Sequence, residues 1–236
     1  MNKSTVEEIR ARFDADVERF SNLETGQSAT MDAPIAMELV ARAAAACSPH
    51  ARDALDVGCG AGNYALKVLQ YLPNLNWTLV DLSLPMIERA VERVSAATAG
   101  TVTPLQADIR EAEFAPESFD VIVAAASLHH LRGEDEWHAT FAKFFQSLRS
   151  GGSLWIFDHV EGSTPQMQAL MQERWGAYLT DFRDEAYRDT VFEYTEKEDT
   201  PRPLMFQLDA LRGAGFEDLE VLHKNSHFVA FGGVKK

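Results

Sequence analysis

Residues 55–66 read Leu55-Asp56-Val57-Gly58-Cys59-Gly60-Ala61-Gly62-Asn63-Tyr64-Ala65-Leu66, and the fold turns on how they are read. Ala54 to Val57 is short and apolar apart from Asp56, like a buried strand. Tyr64, Leu66, Lys67, Val68 and Leu69 then begin a helical pattern. Between the two lie three glycines at alternate positions. Strand, glycine turn and helix is the arrangement with which α/β proteins hold nucleotide-like ligands, because the turn brings main-chain N–H groups and a helix N-terminus up to the ligand.

Working outward, strands are expected at 53–57, 77–81, 102–106, 119–125 and 153–158, with helical patterns at 62–72, 84–98 and 135–149. The runs at 119–125 and 153–158 are nearly all apolar, as parallel strands covered on both faces are. The end of the chain differs. "LDALRGAGFEDLEVLHKNSHFVAFGGVKK" predicts a helix stopped by glycine and then two strands joined at Asn225-Ser226, a connection so short that the pair must be antiparallel. Before the strands, Val6, Ile9, Phe13, Val17 and Phe20 mark one apolar face of an N-terminal helix. A polar stretch, "SNLETGQSATMD", leads to a second helix, with Pro34 in its first turn and Asp32 or a neighbour as cap, running to about Cys47.

Composition narrows the possibilities. Lys and Arg total 22 against 36 Asp and Glu, a formal charge of −14, and no basic run exists, so a nucleic-acid partner is not expected. No apolar run approaches the roughly 18 residues of a membrane span, and "MNKSTVEEIRARFDAD" has no apolar segment of a secretory signal. Only Cys47 and Cys59 are present, which gives neither a disulfide framework nor a cysteine-rich metal site. The expectation is a cytoplasmic protein.

Four further features bear on the ligand. Asp81 ends the second strand, 23 residues after Gly58, where a carboxylate accepts ribose hydroxyls. Asp108 and Ile109 end the third, placed to take an adenine amino group and ring. The glycines are spaced G-x-G-x-G, not G-x-G-x-x-G, with Asp56 just before them. Nor does any tyrosine have Lys four residues on, as a short-chain dehydrogenase would.

In this order and spacing, "LDVGCGAGNYAL", "VDLSLPMIERA", "QADI", "FDVIVAAASLHHL" and "LRSGGSLWIFD" resemble the motifs of class I S-adenosylmethionine-dependent methyltransferases, and "LRGAGFEDLEVLHK" resembles their C-terminal hairpin. The resemblance covers roughly residues 53–158 and 204–234. It implies an α/β fold, Rossmann-like, with a seven-stranded sheet ordered 3-2-1-4-5-7-6, strand 7 antiparallel, and helices on both faces. It further implies that Gly58, Cys59, Gly60 and Gly62, with Asp56, approach the methionine part of S-adenosyl-L-methionine. Asp81 would then bind the ribose with Leu82 beside the adenine, Asp108 and Ile109 would take the adenine, and the carbonyl of Ala124 or Ala125 would face the ammonium.

The acceptor side rests on the residues alone. Ligands of open α/β sheets sit beyond the strands' carboxyl ends, where Ser127, His129 and His130 follow one strand and Asp158 and His159 another. A histidine there can remove an acceptor proton, although methyl transfer from a sulfonium often needs only positioning and exclusion of water. Catalytic candidates are His129, His130 and Asp158. No metal is expected, because adjacent histidines on one turn rarely reach the same ion and no cysteine joins them. Residues 161–203 are expected to form a helical lid, its acidic 181–200 stretch a solvated face. Trp175, Tyr178, Tyr187 and Tyr194, with Ser127 and His159, are candidates to line a pocket for a small, partly apolar acceptor.

The organisation expected is thus one domain: N-terminal helices at 1–48 covering the site, a cofactor core at 53–160, the lid at 161–203, and a helix with hairpin at 204–236. Two other functions fit the same motifs. One is a carboxy-S-adenosylmethionine synthase, which needs a cation in the helix before "AGF", where only Arg212 is near. The other is a cofactor-binding protein without turnover.

Overall fold

A computed structural model describes residues 3–22 and 26–236. Residues 23–25 of the polar stretch lie outside it. Seven strands form one sheet in the order β3-β2-β1-β4-β5-β7-β6, from β1 (Asp53–Val57), β2 (Asn76–Asp81), β3 (Val102–Gln106), β4 (Phe119–Ala125), β5 (Leu148–His159), β6 (Glu217–Asn225) and β7 (Phe228–Val234). The first five are parallel, and β7 runs antiparallel to both β5 and β6. This is the topology the resemblance implies. The hairpin turn is Ser226-His227, one residue later than expected, with Ser226 in the left-handed region at φ 54°.

Alternation along the central strands builds two cores. Ala54, Val121 and Val123 face one side of the sheet, while Leu55, Val57, Ile122 and Ala124 face the other. The first side packs α3 (Ala33–Cys47), α4 (Asn63–Leu69) and α5 (Leu84–Ser95), the second α6 (Glu134–Ser147) and α9 (Leu204–Ala214). In α6, Trp137, Phe141 and Phe144 recur at helical spacing and are fully buried. Ser83 caps α5 by accepting from the Met86 N–H. Asp32 precedes α3 but is no side-chain cap. It adopts φ 57°, and its carboxylate accepts from His223 Nε2 at 2.9 Å and Asn225 Nδ2 at 2.8 Å, joining α3 to the hairpin.

Two regions depart from the expected pattern. The N-terminal helix breaks at Asp16 into α1 (Val6–Ala15) and α2 (Val17–Ser21). Its apolar stripe does not sink into either core: Val6, Phe13 and Phe20 line a cavity, and Ile9 alone of α1 is buried. Residues 161–203 fold into a helical hairpin, α7 (Pro165–Phe182) and α8 (Glu185–Glu198), capped by Thr164 and Asp184. The acidic stretch is not wholly solvated, since Glu198 and Asp199 at its end are buried. No described helix is long and apolar enough to cross a membrane.

Candidate active site

A cavity of about 580 Å³ lies at the carboxyl ends of β1, β2, β4 and β5, where the strand order reverses between β1 and β4. One end is the glycine turn. Gly58 has φ 64°, and a Cβ there would stand 2.4 Å from that of Ser127, so the turn after β1 and the loop after β4 close on each other only because the side chain is missing. Gly60, at φ 49°, would place a Cβ against nothing within 4 Å: its face opens into the cavity. Gly62 turns away, toward Val94 and Ala90 of α5, so it serves helix packing and does not line the cavity.

The carboxylates at this end divide. Asp81 lines the cavity, with Oδ2 accepting from Gly60 N at 2.8 Å and Oδ1 from Ser83 N at 2.9 Å. Each oxygen keeps a further lone pair, and burial raises its pKa. Asp56 sits behind the turn, fully buried, accepting from Ala65 N at 3.2 Å, and burial pushes it up to about 7. It positions α4 and does not reach the cavity. Asp108 lines the wall together with Leu82 and Ile109, but its carboxylate accepts from the Arg110 guanidinium and N–H. Burial would raise that carboxyl, and the Arg110 pairing outweighs it. Ala125 lines the cavity, whereas Ala124 is enclosed in the sheet. Cys59 lines the cavity too, its thiol held up by burial.

The other end is a single 3₁₀ turn, Leu128–His130, after β4. Asp158, at the end of β5, accepts from Leu128 N at 2.7 Å and from His159 N at 2.7 Å, and pairs with His129 Nδ1. His129 Nε2 is thereby aimed at Asp199, 3.6 Å from its Oδ1. His130 Nδ1 lies 3.6 Å from the same oxygen, and His159 Nδ1 lies 3.5 Å from the other. Burial alone would depress His129, but Asp199 and Asp158 outweigh it and hold it at about 9. Burial and the charge of His129 push His130 down to about 3. Near neutrality, then, His129 is a donor and His130 is neutral, a weak base in this setting.

The N-terminal helix and the hairpin meet across this end. Arg12 Nε donates to both carboxylate oxygens of Glu198 at 2.8 and 3.0 Å, and its guanidinium lies over the Tyr194 ring. Ser4 N donates to Lys197 O, Arg132 to Ser4 O and Thr200 Oγ1, and Thr200 N to His129 O. Near the glycine turn, Asn63 Nδ2 donates to Phe20 O.

A methyltransferase-domain family matches residues 54–152. An uncharacterized methyltransferase of Mycobacterium tuberculosis is 32% identical over 109 residues, 46% of this chain and 51% of that protein. The 27-O-demethylrifamycin SV methyltransferase of Amycolatopsis mediterranei is 31% identical over 176 residues, 70% of this chain and 63% of that one. Over the matched stretch and in its fold, the chain resembles the class I S-adenosylmethionine-dependent methyltransferases. It spans about half the length of the mycobacterial relatives it matches. Among solved structures, a putative O-methyltransferase of Nostoc punctiforme superposes with TM-score 0.66 at 15% identity, over 94% of this chain and 60% of that one. A possible histamine N-methyltransferase of Thermotoga maritima gives 0.62 at 17% identity, over 98% of this chain and 100% of that one. These two likenesses concern the fold.

The cavity gathers most of the residues expected there: Gly58, Cys59, Gly60, Asp81, Leu82, Asp108, Ile109, Ala125, Ser127, His129, His130, Asp158, His159, Trp175 and Tyr194. Tyr178 and Tyr187 lie outside its lining. Their hydroxyls go to Ser28, at its carbonyl (3.1 Å) and hydroxyl (3.2 Å), which fastens the 26–32 segment beneath the hairpin. Trp175 does line the cavity while its indole N–H donates to Ala29 O. Sequence reasoning missed Arg12, Arg132, Glu198 and Asp199. Their only signal was charge inside polar runs, which surface residues carry equally.

Proposed function

We propose that this chain transfers a methyl group from S-adenosyl-L-methionine to a small-molecule acceptor in the cytoplasm, without a nucleic-acid or membrane partner. One observation carries the reading: a single cavity touches both the open glycine cradle with Asp81 and the polar turn at His129 and His130. The cradle suits the cofactor. Gly60 leaves room for a ligand against the main chain, and Asp81 keeps lone pairs for two vicinal hydroxyls. The bound cofactor supplies an electrophilic methyl on a sulfonium. This chain's residues do the rest. Asp81 and the glycine turn orient the donor, Ala125 offers its carbonyl side, and Phe13, Phe157, Trp175 and Tyr194 exclude water from the acceptor end. The hairpin at 161–203 acts as a lid, held by Arg12–Glu198. The −14 charge argues against nucleic acid.

The test is formation of S-adenosylhomocysteine from labelled S-adenosylmethionine in the presence of a metabolite library. Asp81→Ala should weaken cofactor affinity roughly 10- to 150-fold, the loss of about 1.5–3 kcal/mol of charge-assisted hydrogen bonding. Binding without product would leave a cofactor-binding protein. The carboxy-S-adenosylmethionine reading loses its cation, since Arg212 is exposed and pairs with Asp209.

A further inference from the structure

We propose that His129, His130 and Asp199 hold a divalent transition-metal ion at the acceptor end of the cavity. The inference rests on geometry and stands whether or not the chain transfers methyl groups. One ligand atom from each of the three residues lies within 4.8 Å of the others, and the carboxylate oxygen is 3.6 Å from each imidazole nitrogen. That separation is too long for a hydrogen bond. It is close to the roughly 3.0–3.5 Å that two ligands keep when both bind one ion at about 2.0–2.2 Å.

The carboxylate itself strengthens the case. Asp199 is 7% exposed, and its side-chain oxygens face the rings of His129, His130 and His159. Burying such a group is costly unless something compensates it. Here three rings stand off at 3.5–3.6 Å around the carboxylate, leaving room between.

The surroundings are those of a held site. Asp158 takes the far nitrogen of His129, the outer-sphere pairing that fixes which nitrogen of a histidine ligand faces its ion. The Thr200 N–H donates to the His129 carbonyl at 2.7 Å, so the strand of chain carrying Asp199 is fastened to the turn carrying both histidines. Two imidazoles and a carboxylate with no thiolate suit zinc, iron, cobalt or nickel over magnesium or calcium. Three protein ligands leave positions open, and these face the cavity, where an oxygen donor of the acceptor is the ligand they take. Adjacent histidines reach one ion here because the tight 3₁₀ turn brings their tilted rings within 4.3 Å and a distant acid completes the set.

The test uses the full chain, stripped with EDTA and titrated with Zn²⁺ against a chromogenic chelator, then with Co²⁺ by visible absorption. One ion per chain is expected. Asp199→Asn and His130→Gln should each weaken binding more than about 100-fold, and Asp158→Asn roughly 10- to 100-fold. Tyr194→Phe, in the same cavity, should leave it unchanged. Melting curves without metal identify folded variants. If Asp199→Asn does not fold, His130→Gln decides, since among the described residues the one side-chain hydrogen bond of His130 is a long one to the Glu198 carbonyl. A wild-type chain with no saturable site below about 10 µM, about 7 kcal/mol, overturns the proposal, as does a folded His130→Gln that binds like wild type. Neither result bears on S-adenosylhomocysteine formation, which tests the methyl-transfer reading alone.

Discussion

At the glycine turn the cavity wall is main chain: Gly58 and Gly60 shape it, and one acid, Asp81, is fastened to it by two N–H groups. At the histidine turn the wall is side chains brought from separate stretches, with Arg12, His129, Asp158, Glu198 and Asp199 meeting across the fold. The first end needs only neighbours on adjoining strands. The second exists only when the hairpin and the N-terminal helix are both in place. A main-chain wall fixes what it can bind through backbone shape, whereas a side-chain wall can exchange its acceptor by a few substitutions.

The sharpest way to break this contrast is Gly58→Val. A β-branched residue at φ 64°, with its Cβ 2.4 Å from that of Ser127, is forced into strain and collision. Calorimetry with S-adenosylhomocysteine should show affinity down by more than about 100-fold, near 3 kcal/mol. Retained binding would mean that the wall is not set by its backbone.

Asp56 tests the layer behind that wall. Burial holds it at about 7, above the unfolded carboxylate value, so the folded state keeps its proton longer. The stability it allows is therefore fully present below about pH 4 and lost as pH rises toward 7. Asp56→Asn, which still offers an oxygen to Ala65 N–H, should remove this decline. In urea unfolding the variant should gain on wild type between pH 4 and 8 by on the order of 3 kcal/mol. A pH-independent difference would place the carboxyl in a wetter setting than the fold gives it.

At the other end, Arg12→Ala leaves Glu198 buried without its bidentate partner. We expect a loss of about 1.5–3 kcal/mol in closure, read as faster deuterium exchange in α1 and α8 while β4 and β5 stay protected. Uniform exchange across the chain would make the pair a general stabiliser and not a clasp. The smallest effect belongs to Tyr178→Phe. Losing one hydrogen bond to Ser28 should cost about 0.5–1.5 kcal/mol of stability and leave KM for cofactor and acceptor unchanged, because the hydroxyl stands outside the cavity. A raised KM would return Tyr178 to the pocket.

The same contrast explains what could be read from the chain. The strands and the residues of the glycine turn follow from local pattern, since period and turn chemistry act over a few residues. The strand order is what the family resemblance implies. Asp199 could not be read this way. In the run Glu196-Lys197-Glu198-Asp199 it looks like any solvated acid, and only tertiary packing tells the buried pair from the exposed. Tyr178 and Tyr187 misled for the reverse reason: aromatics on a hairpin suggest a pocket, but their hydroxyls were needed to hold the segment beneath. The apolar stripe of the N-terminal helix gave its periodicity correctly. What it could not give was the surface that the stripe faces, nor the break at Asp16 that bends it around the cavity.

The clasp between Arg12 and Glu198 joins residues 186 positions apart. On a ribosome adding about 5–20 residues each second, the first helix emerges roughly 10–40 s before its partner. During that interval the sheet can assemble strand by strand, but Val6, Phe13 and Phe20 have nothing to cover. The growing chain thus acquires its donor cradle before its roof, and Val6–Ala15 waits uncovered for the hairpin in between.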